Sequence, residues 1–181
     1  MSTPEFNIIY ADPAWSYKDK ASAGNRGACH KYTVTNTDSL CRIPVWTIAA
    51  QNCYLFMWAT MPMLPDALRV MNAWGFDYKT VAFVWTKTNK KSDTDFFGMG
   101  NHTRANAELC LLGTKGRLKR HNASVRQIIR SPIREHSRKP DEARSRIVEL
   151  LGDLPRVELF ARQQHPGWEC WGNEIESTIE L

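Results

Sequence analysis

Asp12, Pro13, Ala14 and Trp15 stand together directly after an apolar run from Phe6 to Ala11. An acid, a rigid carbonyl-bearing turn and an indole within four residues could hold the exocyclic amine of a nucleobase. Such an amine is a poor nucleophile, because its lone pair is delocalised into the ring. The Asp12 carboxylate and a carbonyl of the Pro13-Ala14 turn could accept its two N–H groups and concentrate charge on nitrogen. Trp15 could then stack on a base turned out of its helix. The same four residues also suit a plain strand end, with Asp12 capping the backbone and Trp15 filling core.

The elements that would position these residues alternate in type. Phe6 to Ala11 is β-branched and aromatic, as in a strand covered on both faces, and Pro13 cannot continue a central strand. In open α/β sheets, ligands bind at the carboxyl ends of strands. A polar loop over Ser16 to Asn36 follows, then a short helical piece at Thr37 to Arg42 and another segment from Pro44 to Ala50. Cys53 to Trp58 reads as the second strand. Pro62 and Pro65 open a helix whose stripe is Leu64, Leu68, Met71 and Trp74, with Gly75 as its stop. Phe76 to Trp85 reads as the third strand, and Ser92 to Asn106 as a second polar loop.

Ala107 to Leu112 reads as a strand ending in a turn at Gly113 and Gly116. Ser124 to Arg130 reads as another, with Val125, Ile128 and Ile129 on its buried face. Pro140-Asp141-Glu142 opens a helix carrying Ala143, Ile147, Leu150 and Leu151 on one face and ending at Gly152. Arg156 to Ala161 is expected to be the final strand. Strand, helix and strand in this rhythm predict βαβ units and a mostly parallel sheet.

At 181 residues the chain is expected to form a single domain over 1–181. Hydrophobic residues make up 43% and charged residues 24%, an ordinary soluble composition, and no apolar run is long enough to span a membrane. No signal peptide or anchor is expected. Cys29, Cys41, Cys53, Cys110 and Cys170 are widely spaced, which favours reduced thiols in a cytosolic protein over disulfides or a zinc site. The net charge is +5, and its distribution is uneven. Residues 115–146 hold eleven Lys/Arg against Glu135, Asp141 and Glu142, a footprint suited to phosphates or to a solvated face.

Several blocks, in order along nearly the whole chain, carry a resemblance. They are Asp12-Pro13-Ala14-Trp15, Leu55-Phe56-Met57-Trp58, Val84-Trp85-Thr86-Lys87, Glu108 to Gly113, Lys139-Pro140-Asp141-Glu142, and Glu158 to Arg162 with Gly167-Trp168 and Trp171 to Glu174. Together they resemble the DPPW-type adenine-N6 methyltransferases. That family includes the catalytic subunit of the eukaryotic messenger-RNA enzyme and small bacterial and phage DNA methyltransferases. The resemblance implies a Rossmann-like methyltransferase fold, a mostly parallel sheet flanked by helices, with S-adenosylmethionine as cofactor. It also implies a circularly permuted motif order, with the catalytic strand ending at Asp12 and the cofactor strand at Val157 to Ala161.

Carried over residue by residue, the resemblance gives Asp12 and Pro13 to the target amino group, with Asp12 also beside the methionine part of the cofactor. Trp15 would flank the adenine, and Tyr32 would lie on the substrate side. Lys139 would meet the cofactor carboxylate. Arg162, Asn173 and Glu174 would bracket its ribose and adenine, with Glu158 shaping that wall. Trp168 and Trp171 are expected to pack as core or pocket walls, and His165 to be a loop residue. Ala14 replaces the usual second proline, Gln164 stands where the messenger-RNA enzyme has a histidine, and the upstream adenine-contacting segment of that enzyme is not expected here.

The resemblance therefore implies methyl transfer to adenine N6 by direct displacement, which requires no metal. Asp12, with an expected low pKa, would be a modest base. The basic loops, with Lys18 in the first and Lys87 before the second, are candidates to grip nucleic acid. DNA is favoured over RNA because the short chain resembles the bacterial and phage members. A catalytically weak nucleic-acid-binding subunit is the reading from another class. A homodimer is plausible, and the expected location is the cytoplasm of a bacterium or a phage-infected cell.

Overall fold

The computed structural model describes residues 5–15, 36–100, 102–135 and 138–181. The Ser16 to Asn36 loop falls outside these residues up to position 35, and with it Lys18 and Tyr32.

Seven strands form one sheet: β1 (Phe6–Ala11), β2 (Ala49–Ala59), β3 (Asp77–Thr88), β4 (Ala107–Lys115), β5 (Ile128–Pro132), β6 (Arg156–Leu159) and β7 (Glu169–Trp171). Among the described residues, three α-helices accompany them: α1 (Thr37–Arg42), α2 (Leu64–Ala73) and α3 (Glu142–Leu151). The strand order is β5-β3-β4-β2-β1-β6-β7. β4 runs antiparallel to both β2 and β3, while the pairs β1–β2, β1–β6, β3–β5 and β6–β7 are parallel. The sheet is thus mostly parallel, as expected, with one reversed strand in its middle. Among the described residues, no helix is long and apolar enough to cross a membrane.

Strand pleat divides the apolar residues into two layers. Ile9 and Ala11 of β1, with Leu55, Met57 and Ala59 of β2, face a core shared with Leu40 of α1 and with Ala67, Val70 and Met71 of α2. Ile8 and Tyr10, with Phe56 and Trp58, face the opposite core against Ala143, Ile147 and Leu151 of α3. Both faces are covered, which is why these strands read as nearly continuous apolar runs.

The helix ends follow local chemistry. Asn36 caps α1 through its side chain, which accepts from the Ser39 N–H at 2.8 Å. A 3₁₀ turn at Met61–Met63 leads into α2 and absorbs Pro62, and Pro65 sits in the first turn of α2. Gly75 follows with φ 84°, a conformation that favours glycine.

Several boundaries differ from expectation. β2 begins at Ala49, inside what reads as a separate segment. β5 starts at Ile128, after Val125; Ile129 faces the core and Val125 packs against it, but Ile128 is 53% exposed, because a period of two sends neighbours to opposite faces. Pro140 precedes α3, whose N-cap is Asp141. β6 ends at Leu159 and is not the last strand. β7 is only three residues long, and the Pro166-Gly167 turn before it hides it in a loop-like composition.

Gly113 lies within β4 rather than in a turn. A Cβ there would stand 2.7 Å from Met71 Sδ and 3.1 Å from Phe76 Cβ, so glycine is what lets α2 and β3 approach β4. Gly113→Val is expected to lower stability by about 1–3 kcal/mol through overpacking. A lower urea midpoint at unchanged m-value would show it.

Candidate active site

Pleat parity also gathers charge. Asp12 follows Ala11 at the carboxyl end of β1. Glu108 lies two residues before Cys110 in β4, and Lys87 two residues after Trp85 in β3. Tyr10, Cys110 and Trp85 all belong to the core beneath α3. Because β4 is reversed, its first residues lie beside the last residues of β2 and β3, with Ala59 paired to Leu109 and Trp85 to Glu108. Three charged side chains thereby reach the same face, at the end of the sheet where Lys139 precedes α3.

These residues form an alternating chain of charge. Lys139 Nζ lies 2.9 Å and 3.0 Å from the two Asp12 carboxylate oxygens and 3.3 Å from Glu108 Oε2. Lys87 Nζ lies 2.5 Å from Glu108 Oε1. The ammonium groups also sit over indoles, Lys139 at 5.8 Å from the Trp58 ring centroid and Lys87 at 5.0 Å from that of Trp85.

Burial and pairing compete at each group. Burial raises the Asp12 pKa above its ordinary value, and Lys139 only partly opposes it. The expected low pKa is thus corrected: removal from water outweighs one shared ammonium. Burial also works against ionised Glu108, but Lys139 and Lys87 together bring its pKa below the ordinary value. Lys139 is raised despite burial, because Asp12 and Glu108 both hold its proton. For Glu108 the sign is that of a depressed acid: its stabilising contribution is present above the ordinary carboxylate pKa and fades as pH falls through the folded value.

Asp12 and Lys139 open onto a cavity of about 280 Å³, shared with Tyr10, Phe160, Arg162 and Glu174. Arg138, Arg144, Glu158 and Gln163 complete its walls with Glu135. Arg144 grips Glu158 with two hydrogen bonds of 2.7 Å, also reaches Asp141 at 2.9 Å, and lies 5.4 Å from the Tyr10 ring centroid. The Tyr10 hydroxyl accepts from Trp58 Nε1 at 2.6 Å.

After β6 the chain turns sharply. Phe160 has φ 61°, in the left-handed region that L side chains rarely adopt, at a cost of about 1–3 kcal/mol. Its ring is held by stacking on Trp74 at 6.3 Å and by an edge contact with Trp171 at 5.5 Å. Ala161 N–H then donates to Trp171 O at 3.0 Å, and Gly172 makes room, since a Cβ there would meet Ala161 O at 2.2 Å. This turn carries Arg162 to the cavity, with its Nε 3.8 Å from Glu174 Oε1.

The structure brings together Asp12, Lys139, Glu158, Arg162 and Glu174 of the predicted set. Asn173 is exposed and is not among the cavity residues. Trp15 is 5% exposed, and its Nε1 donates to Trp58 O at 2.9 Å, so it fills core instead of standing open as a stacking plate. Lys87 is turned inward to Glu108, which replaces the expected phosphate contact. Pro13 O accepts the Trp15 N–H at 3.0 Å, closing the turn on itself.

Trp168 and Trp171 pack as expected, Trp168 between Tyr10 and Arg156. Glu108, Arg144, Tyr10 and Phe160 were not singled out by the sequence. Signals for two of them exist. Glu108 is an acid on the buried parity of an apolar strand, and Arg144 is a cation three residues before Ile147 on the buried stripe of α3.

A mostly parallel seven-stranded sheet flanked by helices, with a cavity lined by charges of both signs at the carboxyl ends of β1 and β6, is a Rossmann-like methyltransferase fold. The MT-A70 family pattern matches residues 6–174, and the chain belongs to that family. It is similar to the type II methyltransferase M.MunI of a Mycoplasma species, 33% identical across 98% of this chain and 81% of that protein. It is also similar to the human N(6)-adenosine-methyltransferase catalytic subunit METTL3, 27% identical across 95% of this chain. The human N(6)-adenine-specific methyltransferase METTL4 is 26% identical across 94% of this chain. The chain spans 28% and 37% of the length of those two human proteins.

Glu108→Ala leaves two largely buried ammonium groups with one carboxylate between them. It is expected to destabilise the fold by about 3–5 kcal/mol, readable in chemical denaturation.

Proposed function

We propose that this chain transfers a methyl group from S-adenosylmethionine to the N6 amino group of adenine in DNA. The observation that carries the proposal is the Asp12 carboxylate on the wall of a cavity it shares with the turn after β6. The donor set suits the cofactor's chemistry. Lys139 and Arg138 are cations for its carboxylate, Asp12 is an anion beside its positive centres, and Glu158 and Glu174 can accept from ribose hydroxyls. When bound there, S-adenosylmethionine supplies an electrophilic methyl group.

The residues of this chain perform the remaining work. Asp12 accepts an N–H of the adenine amine and orients its nitrogen, and Pro13 O keeps a second lone pair for the other N–H. Lys139 fixes the Asp12 carboxylate and preserves its charge. Burial raises the basicity of Asp12 above that of an ordinary carboxylate, which suits it to take the proton released from nitrogen. Positioning and preorganised acceptors supply most of the acceleration.

DNA is favoured because the chain spans 81% of a type II methyltransferase. RNA is the second reading, favoured by the similarity to N(6)-adenosine-methyltransferases. The deciding measurement is N6-methyladenine formed on duplex DNA, single-stranded DNA and RNA of mixed sequence, side by side. Product on RNA alone overturns the DNA assignment. A single domain acting in the cytoplasm, alone or as a homodimer, completes the proposal.

Asp12→Asn is expected to lower turnover by about 10²–10⁴-fold. Near-normal turnover in that variant removes Asp12 from the chemistry. In the parent enzyme, kcat/KM is expected to fall with acidification as Asp12 takes up a proton, with a midpoint above the ordinary value of 3.8. Lys139→Met removes the opposing ammonium, so the acid limb should move to still higher pH. A limb that stays in place or moves to lower pH contradicts the pairing.

A further inference from the structure

The basic block of residues 115–146 is continuous in sequence but divided in space. β4 runs against its neighbours, so Glu108 lies at the cavity end of the sheet while Lys115 pairs with Cys53, in the first half of β2. The chain is still at that far end at Arg117, whose N–H donates to Asn52 Oδ1, and it has returned toward the cavity end by Gln127, whose carbonyl accepts from Val84 N–H at 3.1 Å. At ~3.3 Å per residue, the length of β4 from Glu108 to Lys115 separates the two ends by about 23 Å.

Between them, residues 115–127 hold Lys115, Arg117, Lys119, Arg120 and Arg126 and no Asp or Glu. Among the described residues, none of these five cations has a carboxylate partner, whereas Arg69, Arg130, Arg134, Arg138, Arg144 and Arg156 each meet one. Arg117, Lys119, Arg120 and Arg126 are exposed, while Lys115 is spent on Ala49 O at 3.0 Å.

This segment has almost no regular structure, yet its backbone is pinned along its length. Arg117 N–H donates to Asn52 Oδ1 at 2.7 Å, and the Tyr54 hydroxyl donates to Leu118 O at 2.9 Å. His121 N–H donates to Leu150 O at 2.7 Å, and Arg146 donates to Arg126 O and Ile128 O at 2.7 Å each. Leu118 and Val125 pack inward beneath it. A solvated face needs no such anchoring. Here cations alternate with apolar feet on a fixed backbone, so the unpaired charges are displayed at set positions with little ordering entropy left to lose.

We propose that Arg117, Lys119 and Arg120 form a second phosphate-binding surface, which grips the substrate nucleic acid remote from the reacting base. The inference rests on the nucleic-acid reading above. It carries a length: at ~3.4 Å per base pair, about 23 Å corresponds to about seven base pairs beyond the target adenine. Such contacts hold register and orientation without reading sequence.

The test is the full chain carrying Arg117→Ala, Lys119→Ala and Arg120→Ala, with binding followed by fluorescence anisotropy. The probes are adenine-centred duplex DNAs of about 10 and about 30 base pairs, which reach about five and about fifteen base pairs beyond the target. On the long probe, the log–log salt dependence is expected to be shallower by about 2.7, one phosphate for each lost cation. Between about 50 and 200 mM salt, wild type should thus lose roughly 40-fold more affinity than the variant. On the short probe the two should bind alike. Arg117→Lys with Arg120→Lys should retain the wild-type slope.

An unchanged slope on the long probe overturns the proposal, as does an equal loss on both probes, which a folding defect would also produce. Loss of self-association in sedimentation, without loss of DNA binding, reassigns the surface to a second copy of the chain and likewise overturns it. Failure of the functional reading is separately visible: wild type then forms no N6-methyladenine, while the length-dependent slope is still measured.

Discussion

Four charges taken almost out of water, Asp12, Lys139, Glu108 and Lys87, are the constraint around which the site is built. Each is drawn from a different element: the end of β1, the approach to α3, the start of β4 and the end of β3. Desolvating such groups costs several kcal/mol apiece, and an apolar quartet of similar volume would be no less stable. Their retention therefore points to chemistry rather than to stability. The alternation in sign is what makes the arrangement tolerable. Lys139 lies between two carboxylates and Glu108 between two ammonium groups, while among the described residues Asp12 and Lys87 each form an ion pair with one of them. Asp12 is one end of this charge chain, and it is the end that faces the cavity.

The reversed strand β4 is the topological device behind this arrangement. With all neighbours parallel, the strand between β2 and β3 would end at the cavity rather than begin there, and Glu108 would lie at the far end. Reversal brings an acid from the first turn of the ladder beside Lys87 and Lys139. It also carries the chain away again, so that the next basic residues emerge at the opposite end of the sheet. One topological choice thus sets the charge chain at the site and separates it from the 115–120 cations.

Much of this was legible in the sequence because it rests on local periodicity. The strand ending at Asp12, the α2 and α3 stripes and the cavity residues Lys139, Glu158, Arg162 and Glu174 all follow from pattern or from resemblance. What escaped depends on non-local pairing. The inward turn of Lys87 needs Glu108 from another strand, and Arg144's grip on Glu158 joins a helix to a strand. β7 escaped because three residues between a glycine turn and a glycine carry too little period to register. Asp12-Pro13-Ala14-Trp15 alone suits Trp15 both as plate and as core, since a tetrapeptide cannot show which side of a sheet end an indole enters.

The turn at Pro13 and Ala14 shows how such an opening closes. A second proline at position 14 would stiffen the turn locally, through its ring. Here the stiffening comes from elsewhere: Trp15 N–H closes on Pro13 O, and the indole beyond it is locked into the core by its bond to Trp58 O. Trp58 in turn donates to Tyr10, two residues before Asp12 on the same strand. The turn is therefore held from both sides by β1 and β2, and alanine at its centre loses the ring without freeing the backbone. The Pro13 carbonyl is held by the local Trp15 N–H and, through the indole, by the tertiary bond to Trp58 O, so the turn does not depend on a proline ring at position 14.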